Sequence, residues 1–554
     1  MGIVRNMIGI SRLTRRYELA IVAVILLMSL FLRVLVAVRN PIPAGDGVAS
    51  NLEVARNLNS GLGFSTMRKW MLSDPSMEPL RPEGNRQPGM PTMIAMLFRV
   101  MQPTYGAAQA LALVLGILCL LMSWLWARTL FGRQTGLITL VVLAVNPCFV
   151  WFSTQPDGLM LYVSLFLGVI LVARRKMSLP RVALMGLLCG GSYLVRSQGS
   201  LLCVGILIWI LVATERRKIL SALVFCLAVL VVTLPWFARN LRDFGSPFYS
   251  QSTQLFINEN HWAAWEVRDE PMSPSDMLEH QGPVAVTRYL VAGALRVFEP
   301  LTIGTMHRER MFAQPVLLCF ALCALLALRD GRTRRKMLLP LIASIPSVLM
   351  LVLHEHSGRY MAFAVVVVLA LGAKGLLDLI RKLSPPRGVV WGVALLAAYP
   401  TVLPLMKLVV RDDLERAREA RETAEWISEH TEPDEWVVAF PNVELFVWKY
   451  RRPTLTMPND YEMLLWPCIE KHDVRFVVVD WTLPLVRPRL RNRWLYKADR
   501  TGWEIVNPPP FLEEVWRSSM GATIIYEFTG QVPEGFMEVD SLPRDNCRAL
   551  PPSI

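Results

Sequence analysis

Blocks of 16 to 23 apolar residues recur between short charged loops from residue 19 to about residue 410. A helix needs about 20 apolar residues to cross hydrocarbon, so each block predicts a membrane span. The expected spans are 19–38, 106–127, 135–153, 158–173, 181–195, 199–214, 219–237, 312–328, 337–353, 359–380 and 388–410, eleven in all. The stretch 88–101 is too short to cross, and 282–301 carries Arg288 and Arg296 on an otherwise apolar helix. Both predict helices lying at the interface; should either cross with a partner, the count becomes thirteen.

A net charge of +13 would suit a nucleic-acid binder, but its placement does not. Arg174, Arg175 and Lys176, then Arg216, Arg217 and Lys218, then Arg332, Arg334, Arg335 and Lys336, then Arg381, Lys382 and Arg387 all fall in short loops between spans. That is the positive-inside pattern, and it excludes a basic recognition stripe. The N-terminus and these loops are therefore expected in the cytoplasm. Segments 39–105, 154–157, 196–198, 238–311, 354–358 and 411–554 are expected on the other side. The first apolar run is longer than a signal-peptide core and is expected to stay as a span. Seven of the nine cysteines lie in or beside spans, where they act as small hydrophobes. Cys468 and Cys547 lie outside, either paired or free.

The predicted fold is thus a polytopic α-helical membrane domain, 1–410, with outer loops 39–105 and 238–311, followed by a soluble extracytoplasmic α/β domain, 411–554. In the latter, Arg411–His430 is charged and helical in character. "EWVVAF" (435–440) and "VRFVVVD" (474–480) predict buried strands, with a helix over 460–472 between them. Neither strand leads into a glycine-rich phosphate loop. The tail after Pro543 reads as loosely ordered.

Polar groups against lipid are costly and require a reason. Asp46, in "PAGDG", suits a turn. Asp157, in "STQPDGLM", suits a helix cap. Arg196, in "YLVRSQG", could snorkel to headgroups, yet basic residues are scarce at outer span ends. Arg81 and Arg86 lie in the first outer loop, Arg239 follows the seventh span, and Arg359 and Tyr360 sit between later spans near His354 and His356. The two histidines flank Glu355 and read as a hydrogen-bonded interfacial pair or a metal site. His261, Trp262 and Trp265 suit either a sugar-stacking surface or an interfacial aromatic belt.

Together these residues put two carboxylates and several guanidiniums on one side, from loops of different spans. Arginine forks onto phosphate, and neighbouring cations keep a carboxylate ionised. A lipid-phosphate sugar donor needs positive charge on its leaving group and a carboxylate to take the acceptor's proton. One base and an arginine clamp predict inversion; two carboxylates in double displacement would give retention.

Six stretches carry a resemblance: "DGVASNLEVARNLNSGLGF" (46–64), "RQPGMPTMIAML" (86–97), "LFGRQTGLITLVVLAVNPCFVWFS" (130–153), "YLVRSQGSLL" (193–202), "PWFARNLRDFGSPF" (235–248) and "SGRYMAF" (357–363). In order and spacing the chain resembles the GT-C superfamily of polyprenyl-phosphate-sugar-dependent glycosyltransferases, which includes the bacterial aminoarabinose-to-lipid-A transferases and the protein O-mannosyltransferases. The resemblance implies that Asp46 is the catalytic carboxylate and Asp157 the second acid. It implies that Arg86 stands near the donor phosphate, and that Arg359 and Tyr360 form the family's Arg-Tyr pair. Arg81, Arg196 and Arg239 join the expected phosphate clamp; Tyr360, His354, His356, Trp262 and Trp265 join the expected sugar or acceptor site. Many members have Asp-Glu where this chain has Asp46-Gly47, and an aromatic where it has Ser50. Those members often use a divalent cation, so no cofactor is assigned and the metal requirement stays open. The expected partners are a polyprenyl-phosphate sugar donor, membrane lipid and an envelope lipid, glycan or protein acceptor, at a bacterial inner membrane. A transporter would place its polar residues at mid-membrane on broken, repeated helices; an inactive relative would use its outer domain to bind a partner.

Overall fold

The computed structural model describes residues 15–43, 46–70, 78–175, 177–213, 217–251, 282–284, 286–288, 290–291, 315–353, 362–383, 414–439, 446–459, 462–480, 495–499, 502–505, 508–521 and 523–530. Two compact units emerge. The first holds Met1–Pro41, Gln87–Tyr249 and Pro283–Asp412; the second holds Ile42–Arg86, Ser250–Gly282 and Asp413–Ile554. The expected boundary near residue 410 is one joint between them. The first outer loop, expected to stay with the spans, instead contributes residues 42–86 to the second unit.

The first unit is helical. Tyr17–Arg39, Tyr105–Phe131, Lys218–Phe244 and Ala362–Leu383 are long and apolar enough to cross a membrane, with shorter apolar helices among them. Helices occupy ten of the eleven expected spans; the eleventh, 388–410, lies outside the described residues. Three spans differ from expectation. The helix expected from 337 already begins at Gly331, so Arg332, Arg334, Arg335 and Lys336 are helical rather than in a loop. The span expected over 135–153 is broken into Arg133–Val145 and Pro147–Phe152. The span expected to end at 237 runs on to Phe244 through Pro235, because the stop is Gly245 at φ +71 with its N–H on the Leu241 carbonyl. Arg239 is therefore helical rather than in a loop.

The N-terminal helix Arg15–Arg39 is tied at both ends to one neighbour. Glu18, 1% exposed, takes Arg128 Nε at 2.6 Å and Arg133 Nε at 3.1 Å. Fifteen residues on, Arg33 bonds the Ala144 carbonyl at the end of the helix that Arg133 begins. The two helices thus run parallel, and the hairpin partner Tyr105–Phe131 runs back between them in the chain. Elsewhere in this unit Gly372 and Gly375 let Ala362–Leu383 close on Pro315–Ala327: a Cβ at either would overlap the carbonyl of Phe320 or Cys323. Close small-residue contacts of this kind supply the dispersion that lipid-embedded helices use in place of a hydrophobic drive.

The second unit is an α/β sandwich around a six-stranded sheet, in the order β2 (Arg68–Lys69), β5 (Thr454–Thr456), β4 (Trp436–Ala439), β6 (Val474–Asp480), β10 (Thr523–Phe528) and β9 (Leu512–Arg517). The first four are parallel and the last two form an antiparallel hairpin. Alternate side chains serve opposite faces. Trp436, Val438, Leu455, Val477 and Val479 pack with Leu465, Trp466 and Ile469 of helix Glu462–Lys471. Val437, Ala439, Phe476 and Val478 pack with Ala420, Ala424 and Ile427 of helix Leu414–His430. The expected strands and helices are all present, but four of the six strands were not foreseen. The edge strand β2 comes from the segment 42–86, with Arg68 opposite Thr454. Beside it Lys69 Nζ lies 2.9 Å from His472 Nε2, while His472 Nδ1 donates to the Cys468 carbonyl at 2.6 Å. That pairing leaves Nε2 as the acceptor for the ammonium. Burial, then the neighbouring cations Lys69, Arg81 and Lys471, push the imidazole down to about 4 against the Cys468 carbonyl bond. Cys468 is a buried free thiol; Cys547 lies outside the described residues.

Gly375→Val is expected to destabilise the first unit by about 1–3 kcal/mol through overpacking. It should lower the melting temperature in detergent, whereas Gly191→Ala, where a Cβ meets nothing within 4 Å, should leave it unchanged.

Candidate active site

In the first unit the chain's own hydrogen-bonding rules build a helix break followed by a short second helix. Pro147 has no N–H, and the Asn146 side chain takes the N–H groups of Cys148 at 3.1 Å and Phe149 at 3.2 Å. Asn146 thereby caps the six-residue helix Pro147–Phe152, with proline at its preferred first position. Ser153, Thr154 and Gln155 follow, all buried. The Tyr105 hydroxyl donates to Gln155 Oε1 at 3.1 Å and fastens the segment to the start of Tyr105–Phe131.

Asp157 comes next. Its Oδ1 accepts from Leu159 N at 2.8 Å and caps the helix Leu159–Ala173. Its Oδ2 lies 3.8 Å from Arg196 Nη1, both side chains being largely buried. Arg196 occupies the C-terminal cap of Leu179–Val195, in extended backbone. Gly89, in the Pro-Gly of "RQPGMP", packs on the end of the same helix; a Cβ there would stand 2.8 Å from the Leu194 carbonyl. Asp157 and Arg196 are thus brought together as an ion pair, by a cap at one end and a helix stop at the other.

Arg239 has a different environment. It pairs with Asp243 at 2.8 Å, donates to Asn240 Oδ1 at 3.0 Å, and lies over the rings of Trp236 and Phe244 at 5.0 and 4.9 Å. Its charge is offset one helical turn away.

In the second unit Asp46 is the first residue of helix Asp46–Asn59. The Arg86 guanidinium lies against the next residue: a Cβ on Gly47 would be 3.3 Å from Arg86 Nη1. A buried network holds Arg86 there. Glu83 Oε1 accepts the backbone N–H groups of Asn85 at 2.5 Å and Arg86 at 3.2 Å. Glu83 Oε2 takes the Ser50 hydroxyl at 3.5 Å, and Ser50 takes Arg68 Nη2 at 3.2 Å. Three residues on, Glu53 accepts from the Thr66 hydroxyl at 2.8 Å and from Met67 N. Asn57 donates to the Ser65 carbonyl at 2.9 Å. Positions 46, 50, 53 and 57 share one helical face, and the last three pin that face to the strands that lead to Arg86. Arg81, in β3 (Arg81–Pro82), is buried with its guanidinium 5.1 Å over Trp436, so it serves the packing of this unit.

Gly47 bears on the metal question. A second carboxylate beside Asp46 would supply the oxygen ligands that hard cations require. Here that place is occupied by a guanidinium, next to the positive end of a helix. Among the described side chains, the place beside position 47 holds a guanidinium and no second carboxylate. Arg359, Tyr360, His354, His356, Trp262 and Trp265 lie outside the described residues. Glu53, Glu83 and Arg68 were not singled out from the sequence, and Ser50 was noted only as a departure from the family's aromatic residue. The i, i+4, i+7, i+11 spacing of Asp46, Ser50, Glu53 and Asn57 is the signal that could have found two of them.

A family model described as dolichyl-phosphate-mannose-protein mannosyltransferase matches residues 83–241. No curated relative matches the sequence. Among solved structures, the apo oligosaccharyltransferase of Archaeoglobus fulgidus superposes with a TM-score of 0.60 at 14% identity, over 90% of this chain and 75% of that one. The same organism's AglB, in complex with an inhibitory peptide and a dolichol-phosphate, gives 0.57 at 14% identity, over 89% and 74%. ArnT from Cupriavidus metallidurans, bound to undecaprenyl phosphate, gives 0.51 at 14% identity, over 92% and 97%. At such identity the likeness is one of fold. The fold expected from the resemblance, that of the GT-C superfamily, is the fold this chain has.

Glu53 gives a pH test of the buried network. Burial pushes its carboxyl up to about 7, against the Met67 and Thr66 hydrogen bonds and Arg68, with Glu83 adding like charge. The folded state therefore holds this proton more tightly than the unfolded chain. The stabilisation is full below the ordinary carboxyl range near 4.5 and is lost as pH rises to about 7. At 1.4 kcal/mol per unit the loss is about 3 kcal/mol. Glu53→Gln should remove this dependence, so the variant should gain on the native protein between pH 5 and 7 (roughly the titration window). Thermal melts across that range check it.

Proposed function

We propose that the protein transfers a sugar from a polyprenyl-phosphate-linked donor to an envelope lipid, glycan or protein acceptor, with inversion. The reaction would run at the outer face of a bacterial inner membrane. The observation that carries the proposal is the Arg86 guanidinium against the first turn of the helix that Asp46 opens, on a turn whose backbone N–H groups Glu83 takes. The GT-C fold and the mannosyltransferase match over residues 83–241 support it.

In this reading the acceptor hydroxyl attacks the anomeric carbon from the face opposite the phosphate. The bond from that carbon to the phosphate oxygen breaks, and the lipid phosphate leaves with the electron pair. Asp46 takes the acceptor proton late, when the hydroxyl has become acidic. The leaving phosphate already carries charge and needs guanidinium donors more than a proton. Arg86 is proposed to supply them; Arg196, paired with Asp157, and Arg359 are the further donors that the resemblance implies. Asp157, tied to Leu159 N, sets the direction of Arg196. Tyr360, His354, His356, Trp262 and Trp265 are assigned to the sugar and acceptor. Arg81 and Arg239, engaged with Trp436 and Asp243, are left out of the phosphate clamp in this reading.

Because a guanidinium stands beside position 47, transfer is proposed to need no divalent cation. Asp46→Asn, assayed with a labelled polyprenyl-phosphate sugar, should lose about 100-fold or more in turnover, the range of a general base. Arg86→Ala should raise the donor KM. Native turnover in Asp46→Asn would remove that residue from the chemistry. Activity of the native protein should survive chelation by EDTA; its abolition, restored by added Mg²⁺ or Mn²⁺, would refute the metal-independent form.

A further inference from the structure

Arg33 is a guanidinium inside an apolar span, with no exposure to solvent. Such a group is rare in lipid and calls for a partner or a function. Its partner is the break in the neighbouring helix. Ala144 O would ordinarily accept from Cys148 N, four residues on. That N–H is turned to Asn146 Oδ1 instead, and Pro147 has no N–H to offer. The Ala144 carbonyl is left without its helical donor in a medium that supplies no water. Arg33 Nη1 fills the gap at 2.9 Å, and also donates to the Ser29 carbonyl at 3.2 Å and to the Ser29 hydroxyl. The Ser29 hydroxyl itself reaches Ala144 O at 3.5 Å. Arg33 Nε and Nη2 are buried with no hydrogen-bond partner among the described residues.

Serine alone could have capped this carbonyl without burying a charge. A cation does more: it interacts with the negative end of the helix as a whole. It thereby favours the broken form over a continuous helix through 133–152. The segment after the break runs from Pro147 to Asp157, and its far end is fixed by Tyr105 to Gln155 and by Asp157 to Leu159 N.

We propose that Arg33 is a positioning residue: it stabilises the break at Asn146–Pro147 and so sets the place of Asp157 and, through it, of Arg196. The functional part rests on the reading of Asp157 and Arg196 as part of the donor-phosphate site.

The test uses the full chain in detergent, with Arg33→Met and Arg33→Lys. Hydrogen exchange is followed by mass spectrometry, and binding is measured with undecaprenyl phosphate as the probe. In Arg33→Met the amides of 147–157 should exchange at least about tenfold faster, as in local opening. Exchange in Ala362–Leu383 and the melting temperature should stay as in the native protein. Undecaprenyl phosphate should bind about tenfold more weakly, the scale that a small misplacement produces. Arg33→Lys keeps one charged donor and should restore most of both; if the Met variant does not fold, Arg33→Lys against native carries the same comparison, with a smaller rise confined to 147–157. Unchanged protection of 147–157, or loosening spread over all helices, overturns the proposal. Faster exchange confined to 147–157 with native lipid-phosphate binding upholds Arg33 in its role and removes Asp157 and Arg196 from the donor site, so the two failures are distinct.

Discussion

A helix that breaks inside hydrocarbon must find new partners for the carbonyls it frees. Water cannot supply them, and an unsatisfied group there costs several kcal/mol. Much of the membrane unit follows from how this one break is satisfied. Proline at 147 and asparagine at 146 open it; Asn146 caps the far side, and Arg33 with Ser29 caps the near side. The N-terminal helix is thereby registered to Arg133–Val145 at one end, and Glu18 fixes the other end through Arg128 and Arg133. With both ends held, the short segment to Asp157 has a defined start. The acid then needs only its own cap, Leu159 N, and the guanidinium of Arg196 to be oriented.

The second unit solves a related problem with charge. Glu53 and Glu83 are both 3% exposed, and Arg68, Lys69 and Arg81 are equally buried. Ions this deep are costly unless paired and hydrogen-bonded. Here the acids spend their oxygens on backbone N–H groups of the chain that leads to Arg86, and on Thr66 and Ser50. Replacing such a network with hydrophobic residues would often be neutral for stability, but it would release Arg86 from the turn that carries it. The parallel pairing of β2 with β5 and the Lys69–His472 contact anchor the other side of the same loop in the sheet.

The sequence was explicit about what depends on local pattern. Apolar blocks of the right length became helices, and "EWVVAF" and "VRFVVVD" became β4 and β6. Asp157 and Arg196 stood out because polar groups at outer span ends are rare, and the structure pairs them. What escaped was set by long-range pairing. Arg68 and Lys69 are two residues in a polar loop, and nothing local marks them as an edge strand beside Thr454, almost 390 residues away. The Lys218–Phe244 helix runs past its apolar block and through Pro235, because the αL glycine at 245 is the residue that stops it. Arg33 was hidden by its neighbours, since one cation in a long apolar run barely lowers its mean hydropathy. Only the missing N–H at Pro147, more than 110 residues later, gives it a purpose.

Gly47 and Arg86 are best understood as one choice rather than two. A side chain at 47 would begin 3.3 Å from the guanidinium. Glycine leaves room for the guanidinium to stand against the first turn of the helix, where the backbone dipole is also positive. Two positive features side by side favour an anion there. Glu83 sets the same turn, since its carboxylate takes the backbone N–H groups of Asn85 and Arg86, so the place of the cation is built into the fold.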